Sequence, residues 1–370
     1  MSTGGFTCFP IGDSWVGAGG QRDAKARLLA GGNVMHMPGY SGCGPHAVPL
    51  RLESVRTRTD PSFEFVYDSL DLDMERMKRS GIVEPMLTHT WHELTWECCR
   101  KPGSLVIDIG ANFGWYTLLS LSLGCSVVAF EPLPVHLSTL TKGLAANVGF
   151  TERTEIHRHV VMNEAGNFTL RVPVGSGRNT RPTKSLGMAG ITDGALGAVK
   201  AYPTSWVHYN VSASSVRVDD VLAAGTGDVC MLKADVEGYE ADALATARRL
   251  LRSGRVHAVQ MEVTKMPQVK GKMVDFFAFL ERGGFKMRQV PNSMVDDNTS
   301  LPRASWRNAP GPWAALPRFP SRKIFSKHAN HTRKHTTDTL MDLAWRYDLL
   351  DLTSNIVGRL ENIRIRSDSF

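Results

Sequence analysis

The 370-residue chain has few cysteines and no long apolar run. Six cysteines are too few for a disulfide scaffold, so we expect reduced thiols and a reducing compartment. No segment reaches about 18 apolar residues without a charge or turn former, which predicts no membrane-spanning helix. Residues 1–30 lack the basic start and apolar block of a secretory signal. Cytoplasmic location is therefore expected, although sequons beginning at Asn167, Asn210, Asn298 and Asn330 leave a secretory origin open.

Acidic residues are outnumbered by Lys and Arg, 36 to 43, which leaves a net charge of +7. Nearly all of this excess comes from residues 318–335, which hold six Lys or Arg and no acid. Phe319 and Phe325 are interleaved with these charges, so contact with the phosphates of a nucleic acid is one interpretation. A solvated cationic tail is the simpler one, and nucleic acid is not the favoured partner.

Strand and helix patterns alternate through the middle of the chain. Ser104–Gly110 and Ser126–Phe130 are short apolar runs rich in β-branched residues, as in buried parallel strands. Helical patterns follow them at Trp115–Leu123 and Val135–Asn147. This order predicts a doubly wound α/β fold.

Composition divides the chain into four parts. Residues 1–80 are rich in glycine, proline and small polar residues and predict an irregular N-terminal extension. Residues 81–103 form a helical lead-in to a cofactor-binding core at 104–292, which contains a loop-like insert at 175–203. Loops of that length in a compact domain tend to be lids or binding loops. Residues 293–370 complete the chain as a C-terminal extension with the basic arm 318–335 and a terminal helix.

A glycine-rich turn follows the first strand of this core. Glycines at the junction of a strand and a helix allow close approach of a ligand, and the helix start presents backbone amides to it. The order G-x-N-x-G differs from the dinucleotide fingerprint G-x-G-x-x-G, which disfavours NAD. Glu131 closes the second strand, where a carboxylate can accept hydrogen bonds from both ribose hydroxyls. The predicted cofactor-binding residues are therefore Asp108, Gly110, Ala111, Asn112, Gly114 and Glu131.

Ionisable residues also cluster after the strand Val229–Ala234. Lys233, Asp235 and Glu237 share one face of an extended chain, because side chains alternate with a period of two. Such groups at the end of a buried strand are costly unless they are paired or used. They form either an ion pair that fixes local geometry or part of a ligand site, since ligands bind beyond the carboxyl ends of the strands in open α/β sheets.

The order and spacing of these blocks resemble the FkbM-type methyltransferase family over residues 81–290. The resemblance implies a class I methyltransferase fold with a mostly parallel seven-stranded sheet and S-adenosylmethionine as the methyl donor. It further implies an acceptor hydroxyl on a sugar, a glycan or another small polar molecule. The blocks that carry it are Asp108–Gly114 with Tyr116-Thr117, Ala129–Pro132, Val218–Asp220, Lys233–Glu240 and Gln260–Glu262.

A hydroxyl acceptor must lose a proton during methyl transfer, so a carboxylate near the methyl group is expected as general base. Asp235 or Glu237 is the candidate, with Lys233 orienting them. Asp235 with Glu262 could instead hold Mg²⁺, although our assignment contains no metal. Two other functions remain open, a nucleic-acid methyltransferase and a catalytically degenerate binding module. His89 and His92, in the helical lead-in, are expected to face solvent.

Overall fold

The computed structural model describes residues 7–10, 47–71, 74, 77, 80–176, 189–191, 206–222, 227–264, 270–290, 306, 311–316, 318–319 and 353–360. The strands in chain order are β1 (Thr7–Pro10), β2 (Ala47–Leu50), β3 (Leu52–Arg56), β4 (Glu64–Asp68), β5 (Leu105–Ile109), β6 (Ser126–Phe130), β7 (Thr154–His157), β8 (Val160–Val161), β9 (Asn167–Ser176), β10 (Gly190–Ile191), β11 (Trp206–Val216), β12 (Val229–Ala234), β13 (Ala258–Thr264), β14 (Phe285–Val290), β15 (Arg318–Phe319) and β16 (Thr353–Leu360).

The helices within these residues flank the strands along the chain. They are α1 (Pro85–Cys99), α2 (Trp115–Leu123), α3 (Pro134–Ala145), α4 (Val218–Val221), α5 (Glu240–Ala245), α6 (Arg248–Arg252) and α7 (Lys270–Arg282). None of the helices in this part of the chain is long and apolar enough to cross a membrane.

The main sheet has the strand order β15-β14-β16-β13-β12-β5-β6-β7. Strands β13, β12, β5, β6 and β7 pair in parallel, whereas β16 is antiparallel to both of its neighbours, β13 and β14. Without the two-residue edge strand β15, seven mostly parallel strands remain. The predicted fold class is confirmed.

The central strands form where the sequence is apolar on both faces. Val106 and Ile107 of β5 are inaccessible to solvent, and all six residues of β12 are buried. Helix α2 then ends at Gly124, whose φ of 110° is left-handed, a conformation that favours glycine at a helix end. Buried central strands and short helices of this kind place their connecting turns at the edges of the sheet, where a site can form.

The C-terminal extension contributes to the core, which the sequence analysis did not expect. Strand β16 lies between β13 and β14, and its Ile356 and Val357 are buried. At Gly358, a Cβ atom would lie 2.8 Å from Cγ2 of Val259, so the close strand pairing requires glycine there. The described part of the core is therefore not confined to residues 104–292. The terminal helix, and all of the basic arm except strand β15, lie outside the described residues.

The N-terminal segment is also more regular than its composition predicts. Strands β3 and β4 form an antiparallel pair, and the Phe63 and Phe65 rings pack 5.4 Å and 5.2 Å from the Trp115 ring at the start of α2. The Asn147 side chain accepts a hydrogen bond from the amide of Glu64 and donates one to its carbonyl. The expectation of an irregular extension is wrong for residues 47–71, because aromatic residues tie this hairpin to the core.

A second, smaller sheet lies outside the main one. Its order is β10-β9-β11-β8, with β9 and β11 antiparallel from the pair Asn167–Ser214 to the pair Trp206–Ser176. The predicted insert loop begins inside β9, and its residues 190–191 form β10. The rest of the insert, residues 177–188 and 192–203, lies outside the described residues.

Four cysteines form two disulfides. Cys98 bonds to Cys230 of β12, and Cys99 bonds to Cys125, directly before β6. All four are buried. The expectation of reduced thiols is wrong for these four residues, because the end of α1 packs across two strands and brings distant cysteines together.

Candidate functional site

The turn between β5 and α2 has a left-handed backbone at three positions: Gly110, Asn112 and Gly114, with φ of 77°, 53° and 92°. A Cβ atom on Gly110 would lie 2.0 Å from the carbonyl oxygen of Asp235, and one on Gly114 would lie 2.3 Å from Cδ1 of Leu140. Both glycines are thus fixed by backbone conformation and by close packing. The turn is held directly against the carboxyl end of β12.

Glu131 stabilises this turn from the neighbouring strand. Its Oε2 accepts a hydrogen bond from the amide of Asn112 at 2.7 Å, and its Oε1 accepts one from the amide of Leu133 at 2.9 Å. Nδ1 of His136 lies 3.3 Å from Oε1. A carboxylate oxygen can accept more than one hydrogen bond, so both oxygens can still receive a ligand hydroxyl.

Lys233 is a buried cation at the junction of three carboxylates. Its Nζ donates a hydrogen bond to the carbonyl of Gly110 at 2.9 Å and lies 3.4 Å from Oδ1 of Asp108 and 3.5 Å from Oδ2 of Asp235. Burial by itself lowers the pKa of Lys233, but the charges of Asp108, Asp235 and Glu84 outweigh burial and raise it. Lys233 therefore stays charged, and it joins the turn after β5 to the end of β12.

Asp108 lies behind this ammonium group and is fully buried. It accepts a hydrogen bond from the hydroxyl of Thr117 at 2.7 Å. Burial raises the pKa of Asp108, while Lys233 and Thr117 oppose that rise. The geometry makes Asp108 a partner of Lys233 inside the wall of the site.

Three carboxylates meet beyond the ends of β12 and β13. One oxygen from each of Asp235, Glu237 and Glu262 lies within 4.8 Å of the others. Glu237 has a φ of 61°, an unusual backbone conformation for a residue other than glycine. The short distances between these three carboxylate oxygens would suit a divalent cation. The ammonium of Lys233 already supplies positive charge beside Asp235.

Glu240 fixes the loop that carries Glu237. Its Oε1 accepts hydrogen bonds from the amides of Val236 and Gly238, at 3.1 Å and 2.9 Å, on either side of Glu237. Glu240 is completely buried, and burial raises its pKa to about 7. Glu240 belongs to the Lys233–Glu240 block, but the sequence indicates no role for it, because this contact depends on the chain turning back on itself.

Two further polar residues line the site: Glu84, which the sequence did not indicate, and Tyr116, which was named only within a motif. Glu84, just before α1, has a φ of 42°, and its Oε2 accepts a hydrogen bond from the hydroxyl of Tyr116 at 2.7 Å. Burial, followed by the Glu84 carboxylate, raises the pKa of Tyr116 well above its usual value. The Tyr116 ring lies 5.6 Å from Nζ of Lys233. No local sequence pattern links Glu84 to Lys233, since only the packing of α1 brings them together.

These elements surround one cavity of about 760 Å³. Gly110, Ala111, Asn112, Glu131, Lys233, Asp235, Glu237 and Glu262 all line it, whereas Asp108 and Gly114 lie behind its wall. The lining also includes the apolar side chains of Phe65, Met74, Met77 and Ile82 from the N-terminal segment. The cavity is of the size typical of small-molecule sites.

Two histidines predicted to face solvent are instead buried. His89 and His92 of α1 are each 2% exposed, and both rings pack against Trp306, at centroid distances of 5.1 Å and 5.4 Å. Burial, with the neighbouring His92, lowers the pKa of His89 to about 4. The prediction failed because Trp306, from the C-terminal part of the chain, covers this face of α1.

A family model for the methyltransferase FkbM domain matches residues 108–287. No curated protein matches the chain. Among solved structures, the chain is similar to a methyltransferase FkbM from Methylobacillus flagellatus KT, with 16% identity over 54% of this chain and 44% of that one and a TM-score of 0.33. The chain thus spans less than half the length of that protein.

Two other solved structures are also similar. One is StiE O-MT residues 942–1257, with 11% identity over 79% of both chains and a TM-score of 0.34. The other is an S-adenosylmethionine-dependent methyltransferase from Thiobacillus denitrificans in complex with S-adenosyl-L-homocysteine, with 8% identity over 78% of this chain and 97% of that one and a TM-score of 0.31.

Proposed function

We propose that this chain transfers a methyl group from S-adenosylmethionine to a hydroxyl group on a sugar, a glycan or another small polar molecule, and the match of residues 108–287 to the methyltransferase FkbM domain supports this. The observation that carries this proposal is the carboxylate cluster Asp235, Glu237 and Glu262, which lines the same cavity as the turn after β5. S-adenosylmethionine supplies a methyl group on a positively charged sulfur.

The residues at the turn fit this cofactor. The side-chain oxygen of Asn112 is buried, with no hydrogen-bond partner among the described residues, so it is available to a ligand. Glu131 lines the cavity with a carboxylate that the turn holds in place, and we assign the ribose hydroxyls to it. Gly110 and Ala111 give the ligand close access to the backbone, while Lys233, Asp108 and Gly114 hold the turn in position.

The carboxylates then serve the acceptor. An alcohol is a weak nucleophile, and a base within hydrogen-bond reach of it removes the proton that methylation displaces. Asp235 or Glu237 is the proposed base. Lys233 orients Asp235, and Glu240 fixes the loop of Glu237, so both groups can be placed before the acceptor binds. Catalysis here rests on positioning of the reacting atoms.

The shape and lining of the cavity support a small acceptor. A volume of about 760 Å³ accommodates a cofactor and one further small molecule. Aromatic and methionine side chains of the lining can pack against the C–H face of a sugar ring, and its carboxylates can accept hydrogen bonds from the hydroxyls of that sugar. The basic arm 318–335 lies mostly outside the described residues, and the nucleic-acid alternative stays a prediction.

The test is a screen of mono- and oligosaccharides and polar hydroxylated small molecules with methyl-labelled S-adenosylmethionine. We expect the label in an alkali-stable methyl ether, identified by mass spectrometry and NMR. Parallel reactions with a chelator show whether a divalent cation takes part. Transfer of the label only to nitrogen, in amines or RNA bases, would overturn the O-methyl assignment.

The base is tested by charge-neutral, isosteric variants. Asp235→Asn or Glu237→Gln should lower kcat at least about 100-fold, as expected for loss of a general base, while the calorimetric Kd for S-adenosylmethionine changes much less. Asp242→Asn is a matched control, because Asp242 pairs with Lys272 outside the cavity lining. Full activity in both site variants would exclude both candidates.

A further inference from the structure

The two disulfides lie in the interior of the protein. They join the end of α1 to β12 and to the residue before β6, and all four cysteines are at most 5% exposed. A soluble oxidant has no access to sulfur atoms at this depth once the chain has folded. The bonds therefore form while the chain is still folding, which requires an oxidising environment at that stage.

A second, independent feature lies on the hairpin of β9 and β11. Asn167-Phe168-Thr169 lies on β9 and Asn210-Val211-Ser212 lies on β11, and each has the N-x-[ST] pattern of a glycan acceptor. In the antiparallel register Asn167 is opposite Ser214, and Thr169 is opposite Ser212. Residues opposite one another share a face, so both asparagines and both hydroxyl residues lie on the same face of the hairpin.

That face is the solvent face. Asn167, Asn210 and Ser212 are exposed, whereas Leu170 and Ala213, on the other face, are buried. In this register Asn210 is offset by four residues from Asn167, which places the two asparagines roughly 13 Å apart along the hairpin. A glycan on either residue would extend into solvent and would displace no buried side chain.

We propose that this chain folds in the oxidising lumen of a secretory pathway and is N-glycosylated at Asn167 and Asn210. In the transfer, Nδ2 of the asparagine bonds to C1 of the first sugar of a lipid-diphosphate-linked oligosaccharide. The bond between C1 and the diphosphate oxygen breaks, the lipid diphosphate leaves, and the amide loses one proton to solvent. In the oxidation, each pair of thiols loses two electrons and two protons to the disulfide of a thiol oxidoreductase, which becomes a dithiol.

The test uses the full chain purified from the cells that make it. Enzymatic removal of N-glycans in ¹⁸O-labelled water converts each glycosylated asparagine to labelled aspartate, which mass spectrometry locates. We expect the label at Asn167 and Asn210. Asn163, also exposed but followed by Glu164-Ala165, is the matched control and stays unlabelled. A sample incubated without the glycosidase accounts for spontaneous deamidation.

Two further measurements complete the test. Thr169→Ala and Ser212→Ala should each abolish the label at its own site only, because each removes the hydroxyl of one sequon and keeps its asparagine. Peptide mapping without reduction should recover the pairs Cys98–Cys230 and Cys99–Cys125. Unmodified Asn167 and Asn210 overturn the proposal whatever the state of the cysteines, and free thiols at these four positions overturn it as well. The methyl-transfer assay does not depend on either outcome.

Discussion

Replacing Lys233 with methionine should destabilise the fold strongly, because it leaves a buried carboxylate without its cation. Lys233 is 2% exposed, and Asp108, with its Oδ1 3.4 Å from the ammonium, has no exposure at all. At that distance, two unit charges interact by about 5 kcal/mol at an effective dielectric constant of about 20. Removing one partner of a buried pair typically costs about 3–5 kcal/mol. We expect a loss in this range from the free energy of unfolding of Lys233→Met.

The assay is urea denaturation at pH 7, followed by circular dichroism, on a double-mutant cycle with Asp108→Asn. The double variant restores neutrality and keeps an acceptor for the hydroxyl of Thr117, so it should be more stable than Lys233→Met. The coupling energy should be about 2–3 kcal/mol. Lys142→Met, at an exposed position on α3, is the control and should change stability by no more than about 0.5 kcal/mol.

The pH dependence of Lys233→Met gives a second check. With its cation gone, Asp108 has a pKa above its unfolded value, so between these two pKa values the folded state binds a proton that the unfolded state has released. Stability then rises as pH falls through the folded pKa toward the unfolded pKa of about 4. A loss below about 1 kcal/mol at pH 7, or additive effects of the two substitutions, would refute this account of the buried pair.

Three other variants probe the wall of the cavity. Gly110→Ala should lower the free energy of unfolding, measured by urea denaturation, by more than about 3 kcal/mol, because its Cβ would lie 2.0 Å from a backbone oxygen. Gly103→Ala, which has a similar φ but open space around the added Cβ, should lower it by about 1–2 kcal/mol. For Glu240, burial raises the pKa to about 7, so the folded state holds a proton that the unfolded state releases above about pH 4.5. The wild type should therefore lose up to about 1.4 kcal/mol of stability per pH unit between pH 5 and 7, relative to Glu240→Gln. Glu131→Ala should weaken calorimetric S-adenosylmethionine binding by about 1–3 kcal/mol.

Each of these predictions has a contradicting outcome. Equal losses of unfolding free energy in Gly110→Ala and Gly103→Ala would mean that the turn after β5 does not pack closely against the end of β12. Parallel pH profiles of the wild type and Glu240→Gln would mean that Glu240 does not titrate in this range. Unchanged cofactor affinity in Glu131→Ala would remove Glu131 from the cofactor site.

The parallel core and much of the cavity wall follow from local sequence patterns. Runs such as Leu105–Ile109 and Val229–Ala234 are mostly apolar on both faces, which is typical of a buried parallel strand. The carboxyl ends of parallel strands share one edge, so the turn at 108–114, Glu131 and the cluster at 233–237 were expected to meet there. The structure brings them to one cavity, directly or as the layer behind its wall.

Contacts between distant segments, in contrast, depend on the packing of the whole chain. Strand β16 joins the sheet from the C-terminal extension, Trp306 covers the histidines of α1, and Glu84 reaches the Lys233 cluster through Tyr116. The disulfide partners of Cys98 and Cys99 could not be deduced from spacing either. All of these contacts have the same cause. Local periodicity fixes which face of an element is apolar, but the element that covers that face is selected by the packing of the whole chain.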